Sequence, residues 1–116
     1  MREDKISNLE LFFQNGSINI QMNNDIVKKL KELKPILKEK YGIEEFALFG
    51  SMSRDDYDSQ SDIDIAILKS DRYDFFLRTE AMEFLKQQFN REIDMGYFNS
   101  MKTFIKNRIQ KDFIYV

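Results

Sequence analysis

Gly50-Ser51, ten intervening residues and then Asp62-Ile63-Asp64 form the part of this chain best equipped for chemistry. The apolar run Phe46-Ala47-Leu48-Phe49 ahead of the glycine reads as a buried strand, and Ser51 is placed to cap a helix beyond it. A helix amino terminus presents free N–H groups and the positive end of its dipole, which suits a polyphosphate. Downstream, Ile63, Ile65 and Ile67 alternate with Asp62, Asp64, Ala66 and Leu68, as on a strand with one apolar face. At ~3.3 Å per residue the two aspartates start roughly 6.6 Å apart at their backbones and point the same way. Their carboxylates can converge on one or two metal ions, and the chemistry that suits this pairing is metal-assisted transfer of a nucleotide.

The case for a metal is one of electrostatic cost. Two like charges roughly 4 Å apart repel by ~4 kcal/mol at an effective dielectric near 20, so an aspartate pair among isoleucines either takes up a proton or binds a cation. The chain has no His and no Cys, which leaves oxygen ligands and favours magnesium or manganese over zinc. A third acid, Asp94, lies in the short alternating segment Arg91-Glu92-Ile93-Asp94-Met95-Gly96-Tyr97, which an adjacent strand can deliver to the same place. Plainer readings stand beside each assignment. Ser51 is either a phosphate contact or an ordinary helix cap. Asp62 is either a ligand or a turn residue after Ser59-Gln60-Ser61, and Asp94 either a ligand or the ion-pair partner of Arg91 or Arg78. Arg54 is either a phosphate clamp or a surface arginine. Asp64, inside an Ile-rich strand, is the hardest to explain structurally.

The spacing Gly50-Ser51-x10-Asp62-x-Asp64, followed by Asp94, resembles the signature of the minimal nucleotidyltransferase (MNT) domains of the DNA polymerase β-like nucleotidyltransferase superfamily. The resemblance runs from about Asp25 to Val116 and includes the Lys-Tyr-Gly-Ile stretch at 40–43. It divides the chain into an amino-terminal extension, 1–22, and a nucleotidyltransferase domain, 23–116. It implies that Gly50 and Ser51 hold a nucleotide triphosphate, with Arg54 kept in place beside them. It further implies that Asp62 and Asp64 bridge two magnesium ions and that Asp94 ligates one of them and helps activate the attacking hydroxyl. The resemblance departs at Asp55, where the family usually has glycine, and the acidic stretch Asp55-Asp56-Tyr57-Asp58 follows. Stand-alone proteins of this kind are typically antitoxins paired with a helical HEPN ribonuclease. The implied function is transfer of AMP from ATP to a tyrosine of that toxin. Two alternatives stay open: transfer to a small hydroxylated molecule, and an antitoxin that neutralises its toxin by binding without turnover.

The elements that must position these residues also follow from pattern. Leu9, Leu11 and Phe13 alternate before Gln14-Asn15-Gly16-Ser17, and Ile18, Ile20 and Met22 alternate after it, which predicts an Asn-Gly β-hairpin packing on the domain or serving a partner or a second copy. Asn24 or Asp25 caps a helix with the stripe Ile26, Leu30, Leu33 and Leu37, ended by Gly42; Pro35 is expected to kink or split it. Its lysines Lys28, Lys31 and Lys38 read as a solvated face. A second helix spans Tyr73 to Phe89, its aromatics read as core, and a third runs from Ser100 to about Lys111. A last strand closes the chain at Phe113-Ile114-Tyr115-Val116. The fold class is α/β (α+β): the hairpin, then αβαβαβαβ, a mixed sheet packed by helices.

Composition bounds the rest. The chain's 116 residues suffice for one domain and not for separate fingers and thumb, so acceptor recognition is shared with another protein. A formal charge of −2 and a pI near 5.2 give no general pull toward nucleic acid. No apolar run approaches the ~20 residues of a membrane span and no cysteine points to an oxidising compartment, so a cytoplasmic location is expected.

Overall fold

A computed structural model of the chain describes residues 15–54, 58 and 60–116. The elements are α1 (Asn15–Tyr41), β1 (Ile43–Phe49), a single 3-10 turn (Gly50–Ser53), β2 (Ile63–Ser70), α2 (Phe75–Phe89), β3 (Ile93–Tyr97), a second 3-10 turn (Phe98–Ser100), α3 (Thr103–Gln110) and β4 (Ile114–Tyr115). The four strands form one sheet in the order β3-β2-β1-β4. β1 runs antiparallel to both β2 and β4, while β2 and β3 are parallel and joined through α2. The fold is therefore the mixed sheet with packing helices that the sequence predicts.

One face of the sheet makes the core. Ile63, Ile65 and Ile67 of β2 and Ile93 and Met95 of β3 are buried with Ile26, Leu30 and Leu37 of α1 and Ala81 and Leu85 of α2. Each fully buried aliphatic side chain stabilises by about 1.5–3 kcal/mol, so this face fixes the register of the strands and decides which residues are left on the other. Helix ends are set by local chemistry. Gly42 ends α1 at φ +73, donating its N–H to the Lys38 carbonyl at 3.0 Å. Asp74 caps α2, its Oδ1 accepting from the N–H groups of Phe76 (2.8 Å) and Leu77 (3.1 Å). Asn90, left-handed at φ 54, closes the same helix.

The structure corrects several expectations. Residues 15–22 belong to α1, so the second strand of the expected hairpin is helical and Asn15-Gly16 is no hairpin turn; residues 9–14 lie outside the described residues. The competing signal is the four-residue spacing of Ile18, Met22, Ile26 and Leu30, which continues the helical stripe upstream and extends an existing helix without a new nucleation cost. α1 accordingly begins at Asn15, well before the expected cap at Asn24 or Asp25, and runs unbroken through Pro35. The helix expected after Ser51 is only a 3-10 turn, and the aromatics opening the second helix are not core: Tyr73, Phe75 and Phe76 are 59%, 62% and 75% exposed. Phe84 and Phe89, further along, do pack against the core.

Candidate active site

Backbone pairing brings the acids together. Asp64 lies opposite Phe49 across β1 and β2, and opposite Asp94 across β2 and β3. Directly paired residues on neighbouring strands, about 4.8 Å apart, point to the same side, so Asp64 and Asp94 stand side by side on the face turned away from the helical core. Asp62, two residues upstream, precedes β2 on the same side. Asp64 is half-buried, whereas Asp62 and Asp94 are exposed. Burial, then the charges of Asp94 and Asp62, push the Asp64 carboxyl up from its ordinary 3.8 to about 6, with Arg54 pulling the other way. Asp62, Asp94 and Arg54 thus all act on the one carboxyl group of Asp64.

Gly50 is placed against that group. It adopts φ +73, and a Cβ built on it would lie 3.1 Å from Asp64 Cγ and 3.3 Å from Asp64 Cβ, closer still to Oδ2. The carboxylate occupies the space where any other residue would carry its side chain. The turn is closed locally by the Ser53 hydroxyl donating to the Gly50 carbonyl at 2.8 Å and by the Arg54 N–H donating to the Ser51 carbonyl at 3.1 Å. Ser51 sits within this turn and is not its cap; the residue preceding the turn is Phe49, which makes no side-chain cap bond. Any phosphate contact therefore comes from the backbone and hydroxyls of a tight turn, not from an α-helix dipole.

Arg54 reaches Asp112, with Nη1 3.6 Å from Oδ2. Asp112 carries no motif in the sequence; it lies between α3 and β4, and the pairing of β4 with β1 returns this part of the chain toward the turn. Arg91, one of the two arginines that the plainer alternative for Asp94 offered as an ion-pair partner, instead donates through Nη1 to the carbonyls of Asp58 (3.0 Å) and Ser61 (2.8 Å). Arg78, the other suggested partner, lies over the rings of Phe75 and Tyr97. In the acidic stretch, residues 55–57 lie outside the described residues; the Asp58 carboxylate accepts from the Gln60 N–H at 2.8 Å and from the Ser61 hydroxyl at 3.3 Å, a turn-forming role.

The oxygen-only donor set fits a hard divalent cation. Among the described residues no group of three or more acidic side chains is gathered closely enough to hold a metal ion. Burial and the neighbouring charges of Asp94 and Asp62 lift the Asp64 carboxyl, and a cation bound beside it would offset the cost of its charge. No helix among the described residues is long and apolar enough to cross a membrane.

Comparison with known proteins bears on this arrangement. The family model described as the nucleotidyltransferase domain matches residues 30–116. Two proteins of Methanocaldococcus jannaschii, provisionally named protein adenylyltransferases MJ0128 and MJ1217, are 33% and 32% identical over 94 residues, covering 80% of this chain and 96% of each relative. Among solved structures, a variant of the toxin–antitoxin MntA-HpeT superposes with a TM-score of 0.59 over 80% of this chain and 70% of that one at 23% identity, a likeness of fold. A toxin–antitoxin crystallised with AMP-PNP gives a TM-score of 0.54 at 28% identity, over 72% of this chain and 62% of that one. With a match spanning both the glycine turn and the strands that carry Asp64 and Asp94, this chain belongs to the nucleotidyltransferase domain family.

Proposed function

We propose that this chain is the antitoxin of a toxin–antitoxin pair and acts in the cytoplasm as a protein adenylyltransferase, moving AMP from ATP to a tyrosine hydroxyl of a partner HEPN ribonuclease. The observation that carries the nucleotidyl-transfer reading is the Asp64 carboxyl, raised to about 6 between Asp62 and Asp94 and pressed against the Gly50 backbone. The names of the relatives, protein adenylyltransferases, and the AMP-PNP held by a toxin–antitoxin of similar fold support the donor and the kind of acceptor.

In this reading the backbone of the turn at Gly50, with the Ser51 hydroxyl, binds the triphosphate, and Arg54 offsets its charge. Asp62, Asp64 and Asp94 would hold two magnesium ions, which when bound supply charge neutralisation to the attacking and leaving oxygens. The tyrosine oxygen attacks the α-phosphorus in line; the new O–P bond forms as the bond to pyrophosphate breaks. The hydroxyl proton passes to an Asp94 carboxylate oxygen, exposed and next to Asp64.

The test is the intact mass of proteins that co-purify with this chain after incubation with magnesium and ATP, compared with the double variant Asp62→Asn, Asp64→Asn. The expected result is a partner that gains whole adenylyl groups only with the wild-type chain. A partner captured equally by both chains and never gaining mass would instead mean neutralisation by binding alone.

A further inference from the structure

The short link between α2 and β3 makes two attachments that bracket Asp62. On the upstream side, Arg91 Nη1 donates to the carbonyl of Ser61, half of the peptide unit leading into Asp62, at 2.8 Å, and also to the Asp58 carbonyl at 3.0 Å. On the downstream side, the Ile63 N–H, half of the peptide unit leaving Asp62, donates to the Glu92 carbonyl at 2.9 Å. Both peptide units flanking Asp62 are thus tied to residues 91 and 92. Two residues further along, the same stretch carries Asp94 into register with Asp64.

From this we infer that Arg91 is a positioning residue for nucleotidyl transfer. It fixes where Asp62 stands relative to Asp64 and Asp94 by clamping the turn that precedes β2. The inference rests on the assignment of those three aspartates to the reacting centre. Asp62 needs such help because it lies outside the β2 ladder and is exposed, so no burial or strand pairing of its own restrains it. The turn's internal bonds, from Gln60 N–H and the Ser61 hydroxyl to Asp58 Oδ1 and from Ser61 N–H to the Asp58 carbonyl at 3.2 Å, shape the turn without attaching it to the sheet. A guanidinium is suited to the task, since its charge strengthens both hydrogen bonds and one nitrogen serves two carbonyls. Displacing a reacting group by about 1 Å can cost a hundredfold in rate, so a clamp remote from the substrate can still govern turnover.

The experiment compares wild type, Arg91→Met and Arg91→Lys by AMP transfer to the co-purified partner and by backbone hydrogen exchange over residues 60–63 without nucleotide, with a thermal melt as the folding control. The inference expects a loss of about tenfold to a hundredfold in kcat for R91M, little change in the KM for ATP, and an intermediate value for R91K. It also expects faster exchange at the Ile63 amide, with the melt shifted by only a few degrees. Wild-type turnover in R91M, or lost turnover with Ile63 exchanging as in wild type, overturns it. If R91M does not fold, R91K decides the matter by the same two readouts. A wild-type chain that transfers nothing refutes the assignment of the reacting centre instead, and the exchange of residues 60–63 then shows on its own whether Arg91 holds the turn.

Discussion

Replacing Asp64 by Asn should make the protein more stable at neutral pH while abolishing transfer. The folded chain holds the Asp64 proton up to about pH 6, whereas the unfolded chain releases it near 3.8. Between those values the folded state binds more protons, so stability falls as pH rises through that window, and the full cost is present above it. A gap of roughly two pH units corresponds to about 3 kcal/mol at ~1.36 kcal/mol per unit, as a ceiling. Asp64 keeps some contact with water, and screening reduces the figure to roughly 1–2 kcal/mol. Asn keeps the shape of the carboxyl group without its charge. D64N should therefore melt about 3–8 °C above wild type at pH 7.5, with the difference closing below about pH 4, where both side chains are neutral. Magnesium and ATP should raise the melting temperature of wild type and leave that of D64N unchanged. Melts from pH 3.5 to 8, with and without magnesium and ATP, measure all of this. A D64N chain no more stable than wild type at pH 7.5, or a difference that persists unchanged in acid, would refute the idea that Asp64 carries a charge the fold disfavours.

Two further perturbations probe the groups around it. Gly50→Ala puts a methyl group into the Asp64 carboxylate at φ +73 and should cost about 1–3 kcal/mol in urea denaturation and at least about tenfold in transfer rate; wild-type turnover would show that this turn does not set the position of Asp64. Arg54→Ala removes the cation that opposes the rise of the Asp64 pKa, so the acid limb of the pH–rate profile should move upward from about pH 6 and the KM for ATP should rise about tenfold; an unmoved limb would place Arg54 outside the reacting centre.

What the sequence revealed of the site was the part governed by strand periodicity. Alternation through Ile63-Asp64-Ile65 and Ile93-Asp94-Met95 assigns the acids to the face opposite the isoleucines, and burial of those isoleucines enforces it. Less could be read where two local signals competed or where a contact depended on topology. Asn15-Gly16 is a hairpin signal in a stretch whose four-residue spacing also continues a helix, and the helix prevailed. Phe75 and Phe76 have the hydrophobicity of core residues, but they form the first turn of α2 just past its Asp74 cap and stay exposed. Asp112 and Arg91 meet their partners from far along the chain, and nothing in the spacing around either residue announces Arg54 or the turn at 58–61.

The parallel ladder between β2 and β3 also shapes how such a chain can change over generations. The nearness of Asp64 and Asp94 follows from the parallel register of β2 and β3, which the buried apolar residues beside them hold as a group and no single one of them sets alone. Substitutions in the core can accumulate and readjust while the distance between these acids stays tied to the strand spacing. Length is a different matter. One residue inserted or deleted between Asn90 and Asp94 would either turn Asp94 toward the buried face or shift it along the strand away from Asp64. A comparison of lineages should therefore find drift in the composition of β3 and its approach, and almost none in their length.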